Sequence, residues 1–168
     1  HQIIFTRCSV DDTINIVVTE CCPDTTLAGS FSPVCTSAGT VDLSAIENGK
    51  VGTWAITTSV GAATVTTGHT FNVNSSVAGT YVLTFTVTGA PDGCVMPTRT
   101  IKVNALPEVT VNSTAICVGD AAATFSATSD STAASHLWSA NGAGTSPTTT
   151  GTTAGNYTVA VTDNNGCV

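Results

Sequence analysis

Cysteine, tryptophan, Ala-Gly-x-Tyr and Gly-Cys occur in that order twice in this chain, and no other feature limits its fold as much. The first copy runs through Cys35, Trp54, "AGTY" ending at Tyr81 and "DGC" ending at Cys94. The second runs through Cys117, Trp138, "AGNY" ending at Tyr157 and "NGC" ending at Cys167. A repeat of this length means that one supersecondary unit is used more than once. The unit is a β structure. In "YVLTFTVT" the residues Tyr81, Leu83, Phe85 and Val87 alternate with threonines, the period-two pattern of a strand with one buried and one wet face. "YTVAVT" repeats it with Tyr157, Val159 and Val161 inward, and "VDL" and "FSA" alternate likewise after the first cysteine of each copy. Trp54 and Trp138 are expected on a mid-sandwich strand. Asp92-Gly93 and Asn165-Gly166 are turn signals just before each second cysteine.

Composition agrees. Only 9% of the 168 residues are charged, threonine is abundant, and the long charged side chains that favour helices are scarce. The expected class is all-β: tandem small β-sandwiches. The net charge is −7 and the basic residues are Arg7, Lys50, Arg99 and Lys102, so no basic cluster exists for nucleic acid. No apolar run has the length of a membrane span. His1 opens directly onto the strand-like "QIIF", which reads as a mature or internal start.

Seven cysteines in such a chain suggest an oxidising compartment and disulfides. The vicinal pair Cys21-Cys22 is poor geometry for a tetrahedral metal ion, so no metal or cofactor is expected. A unit of about 60 to 70 residues buries little surface and gains from a staple. The repeat suggests Cys35 with Cys94 and Cys117 with Cys167, one bridge inside each copy, contributing about 4 kcal/mol each by loop closure. Cys8, Cys21 and Cys22 remain. Cys8 occupies the position of Cys94 and Cys167, so its partner lies upstream, or it joins Cys21 or Cys22; one thiol is left for a link between subunits.

The first copy's last strand is "TIKVNA", and Pro107 in "ALPEV" makes a stiff linker, placing a boundary near residue 105. "RCSVDDTINIVVTE" resembles "GCVMPTRTIKVNA", with Ile14 and Ile16 in the places of Ile101 and Val103. Residues 1–22 thus read as the terminal strand of a preceding repeat, or an exchanged strand, plus linker. Residues 23–105 are the first repeat, and residues 106–168 a second repeat without its last strand. Two accounts fit. The default is a window on a longer tandem array. The other is that the strand around residues 13–19 of one subunit fills the gap in the next, giving a head-to-tail filament by strand addition.

The two runs "AGTYVLTFTVTGAPDGC" and "AGNYTVAVTDNNGC", each preceded by Cys and Trp, resemble the immunoglobulin-like, PKD-like repeats of Bacteroidota secreted surface proteins. Such repeats occur in giant adhesins, surface filaments and the stalks of multidomain enzymes, often exported by type IX secretion. The resemblance implies an extracellular or cell-surface, structural and non-catalytic role. It does not extend to the sorting domain in which such chains usually end. It also implies an O-glycosylation motif, matched at Thr13, Thr25 and Ser131. The N-x-S/T sites at Asn74, Asn112 and Asn156 are incidental in a bacterial protein.

His1, His69 and His136 lack the sequence context of a nucleophile–base site, and no G-x-S-x-G is present. Asp11-Asp12 reads as a solvated turn. "DNNG" and "PDG" offer too few oxygens for calcium. Trp54, Tyr81, Phe85, Trp138 and Tyr157 read as core and not as a sugar platform, because they recur at equivalent positions. The expected function is a structural or adhesive module of a surface filament or giant repeat adhesin. Its partners are copies of itself or adjacent repeats, and surface glycans are a further candidate. No nucleic acid partner and no membrane insertion is expected. The alternative is a non-catalytic stalk or carbohydrate-binding region of a secreted multidomain enzyme.

Overall fold

The structure is a computed structural model, and it describes residues 21–58, 63–66, 69–73, 77–117, 119–139 and 145–168. The all-β class holds: helical content among the described residues is one 3-10 turn, Ser44–Ile46. Twelve strands are described, in four sheets.

Residues up to Asn104 build two of them. The larger has the order β1 (Val34–Cys35), β7 (Thr98–Asn104), β6 (Gly79–Val87), β3 (Gly52–Thr58). The smaller has the order β2 (Thr40–Asp42), β5 (Thr70–Asn72), β4 (Thr64–Thr66). The nine-residue β6 behaves as its alternation requires: Tyr81, Leu83, Phe85 and Val87 are buried, and the residues between them are not. Ile101 and Val103 of β7 turn to the same core, as do Trp54 of β3 and Phe71 of β5. Phe71 of the smaller sheet meets Tyr81 of the larger edge-on at 5.2 Å, which closes one sheet over the other, while within the larger sheet Trp54 meets its cross-strand partner Phe85 at 5.0 Å. Each such side chain contributes about 1.5–3 kcal/mol by leaving water. Gly52 lies under the Phe85 ring, where a Cβ would overlap the ring and the Thr86 carbonyl. Trp54 is buried, yet β3 is an edge of its sheet among the described strands and not a middle strand as expected.

The remaining residues build the other two sheets. One sheet has the order β8 (Val109–Ser113), β9 (Ala123–Ser129), β11 (Thr148–Gly151). The other pairs β10 (Ala133–Trp138) with β12 (Val159–Asp163) alone. Phe125 of β9 stacks on Tyr157 at 4.3 Å and lies 6.4 Å from Trp138. The strands make their extensive contacts within their own pair of sheets.

The disulfides differ from the expected pairs. Cys22 joins Cys94, and Cys35 joins Cys167, with Cα–Cα distances of 5.5 and 5.6 Å. Neither Cys35–Cys94 nor Cys117–Cys167 forms. The reason is strand direction. Cys35 runs parallel to β7 and sits opposite Asn104, at the end of that strand, whereas Cys94 precedes its start at Thr98. The strand between them is about 20 Å long, and a disulfide tolerates Cα atoms only about 7 Å apart. Cys117 lies near Tyr157, before β12, while Cys167 follows its end. Cys22 is therefore not Cys8's partner, and Cys21 and Cys117 are free and exposed. Cys8 lies outside the described residues. The bridges close loops with sequence separations of 72 and 132 residues, worth about 4–5 kcal/mol each when taken singly. The first ties the segment expected as linker to the loop between β6 and β7. The second ties the two pairs of sheets together.

Candidate functional site

The two Ala-Gly-x-Tyr motifs put a tyrosine at the entry of the strand beside each tryptophan. In both, the hydroxyl donates to the carbonyl four residues back: Tyr81 to Val77 at 2.6 Å and Tyr157 to Thr153 at 3.0 Å. This contact pins the turn to the strand that follows. The surroundings differ. Tyr81 is 0% exposed, whereas Tyr157 is half-buried. β6 has β3 on one side and β7 on the other; β12 has only β10 among the described strands.

Tyr157, two residues before β12, helps line a cavity of about 220 Å³ whose walls also include Thr114, Ile116, Cys117, Phe125 and Gly151. A shallower groove continues past Val111 and Ser113 of β8. Gly151 permits this geometry, because a Cβ there would overlap the Tyr157 ring. The lining carries no charged side chain. Cys117 takes its backbone N–H to Asp120 Oδ2 at 2.7 Å, which turns the chain at the mouth of the cavity.

The other candidate positions hold structural contacts. Glu47 is buried, accepts from Trp54 Nε1 at 2.9 Å, and lies 2.6 Å from His69 Nδ1. One carboxylate thus anchors an indole and an imidazole. Trp138 Nε1 instead donates to the Ser146 carbonyl. His136 and Trp138 both face the core of their sheet pair. In "DNNG", Asp163 Oδ1 accepts the backbone N–H groups of Asn165 and Cys167, both at 2.8 Å, and Oδ2 accepts from the Asn165 amide. Hydrogen bonding, first from Cys167, holds this carboxyl below the usual value of 3.8. Its oxygens are committed to a turn that presents Cys167 to Cys35. No three His, Cys, Asp or Glu side chains cluster in metal-binding geometry among the described residues.

Thr25 and Ser131 are half-buried beside turns. Asp24 caps the Thr26 N–H and pairs with Lys50 at 3.1 Å; these bonds, the Thr26 ones first, lower its pKa to about 2. Thr13, His1, Asp11 and Asp12 lie outside the described residues. The placement of Ile116-Cys117 was not anticipated from sequence. Its signal was the matching dipeptide Val34-Cys35, an aliphatic β-branched residue before the first cysteine of each copy. The chain matches no protein-family model and no curated protein. No described helix is long and apolar enough to cross a membrane.

Proposed function

We propose that the chain is a structural, non-catalytic module of an extracellular filament or giant repeat adhesin, built from tandem immunoglobulin-like β-sandwiches. The observation that carries this reading is the Cys35–Cys167 bridge, which makes two similar sheet pairs one covalent unit. The matching tyrosine corners support a repeat origin for the two pairs. Disulfides belong to oxidising surroundings, which favours a site outside the cytosol. The work of such a module is mechanical: a pull on its ends meets covalent shortcuts before it meets the folded core.

Single-molecule stretching tests the reading. With both bridges intact, force from the termini passes from Cys35 directly to Cys167, and full extension gives about 130 Å. After reduction the same chain should extend to about 590 Å. A native chain that extends fully without reductant, or that binds a glycan tightly and specifically on an array, contradicts a purely mechanical role.

A further inference from the structure

We infer that Cys21, Cys22 and Cys94 form a surface thiol–disulfide exchange site, at which a small-molecule thiol opens Cys22–Cys94 and lets Cys94 close on either of the two neighbouring cysteines. Cys35–Cys167, which carries the mechanical reading, takes no part.

The two bridges differ in what can reach them. Cys167 is 0% exposed. Its backbone N–H and carbonyl are both tied to Asp163, which is itself buried. Attack on that sulfur requires the turn to open. Cys22 is exposed and Cys94 half-buried. Cys94 lies in the loop between β6 and β7, where Asp92, Gly93 and Val95 are all exposed. Thiol–disulfide exchange needs access to one sulfur and a thiolate to attack it. The first bridge offers the access, and a free, exposed thiol, Cys21, stands one residue from it.

The chain around the pair can replace one cysteine by the other. Residues 21–24 are exposed and belong to no strand. The anchors lie from Asp24 onward. Asp24 pairs with Lys50 at 3.1 Å, Ala28 donates to the Ile46 carbonyl at 2.8 Å, and Arg99 donates to the carbonyls of Leu27 and Gly29. Cys22 precedes Pro23, which favours extended backbone at Cys22, and extended neighbours point to opposite sides. One cysteine therefore meets Cys94 while the other faces water. The Cα atoms of Cys22 and Cys94 are 5.5 Å apart, and adjacent Cα atoms are about 3.8 Å apart. Cys21 thus lies within about 9 Å of Cys94, and a shift of about 2–3 Å brings it inside disulfide range. A direct Cys21–Cys22 bond is disfavoured, because disulfides usually span at least about 4.4 Å between Cα atoms.

The exchange conserves electrons. The thiolate of the small thiol attacks Cys94 Sγ, the S–S bond breaks, and Cys22 leaves as a thiolate that takes up a proton. The thiolate of Cys21 then attacks Cys94 Sγ in the mixed disulfide, and the small thiol leaves and regains its proton. Nothing is oxidised or reduced overall, and Cys22 replaces Cys21 as the free thiol.

The test uses the 168-residue chain carrying Cys117→Ser, which removes the other free, exposed thiol. The protein is held with dilute reduced glutathione, alkylated with iodoacetamide and mapped by tandem mass spectrometry. Before glutathione the label should lie on Cys21. Afterwards Cys22 should carry it in at least about a tenth of the molecules, with Cys21–Cys94 fragments in the same proportion. Cys22→Ser should form Cys21–Cys94 and retain Cys35–Cys167, which shows that it folds. With more glutathione, Cys22–Cys94 should open at least about tenfold faster than Cys35–Cys167. Label confined to Cys21 after glutathione, an unpaired Cys94 in folded Cys22→Ser, equal rates of opening, or a native Cys8–Cys21 bond overturns the proposal.

Discussion

Tyr81 and Tyr157 occupy the same place in the same motif and make the same hydrogen bond, yet only Tyr81 is fully buried. Around Tyr81, β7 closes the flank of β6 and completes a dry core of Leu83, Phe85, Ile101 and Val103. Around Tyr157, β12 has one described neighbour, and Phe125, Tyr157 and Val159 are only half-buried. Local sequence therefore fixes the corner, and a neighbouring strand fixes the burial. Stability should be distributed accordingly, with the second sheet pair the weaker.

Truncations inside the two cores give the largest separation. Phe85→Ala should cost about 3–5 kcal/mol, measured by denaturant unfolding. Phe125→Ala should cost about half as much, because its ring is partly solvated already. Equal losses would mean that the second core is sealed. Next come the backbone contacts of the glycines. Gly52→Ala forces the Phe85 ring aside and should cost about 1–3 kcal/mol. Gly151→Ala presses on the less confined Tyr157 ring, which can swing towards the cavity, so its loss of thermal stability should be smaller. Removing the hydroxyls is gentler still. Tyr81→Phe should cost about 1 kcal/mol and Tyr157→Phe less, because water replaces the bond at the open corner.

Acid gives the smallest contrast. Asp163 has its pKa lowered by the bonds from Cys167 and Asn165, and Asp42 by those from Ser44. A depressed carboxyl stabilises the fold above the ordinary carboxylate pKa, and that stability is lost as the pH falls through about 4 towards the folded value. Asp163→Asn should flatten the acid limb of a thermal-stability profile more than Asp42→Asn. Asp163 is buried and serves the turn at Cys167, whereas the bonds at Asp42 are exposed. Equal slopes would place the acid-sensitive turn elsewhere.

The period-two pattern made the β class and the core face of β6 readable in advance, because alternation over nine residues admits one arrangement. The two tryptophans were readable as core for the same reason of recurrence. The disulfides were not. Their partners depend on which end of β7 each cysteine reaches, and the element that decides this, Val34–Cys35, is a two-residue parallel strand with no periodicity to detect. The cavity beside Tyr157 was not readable either, because Ile116 and Cys117 look like loop residues until the partner of Val34 and Cys35 is known.

Peptide mapping of the unreduced protein by mass spectrometry bears most directly on this picture. Two covalently joined sheet pairs require Cys35 linked to Cys167 and Cys22 linked to Cys94. Fragments joining Cys35 to Cys94 and Cys117 to Cys167 would instead make each repeat a separately stapled bead and contradict the account.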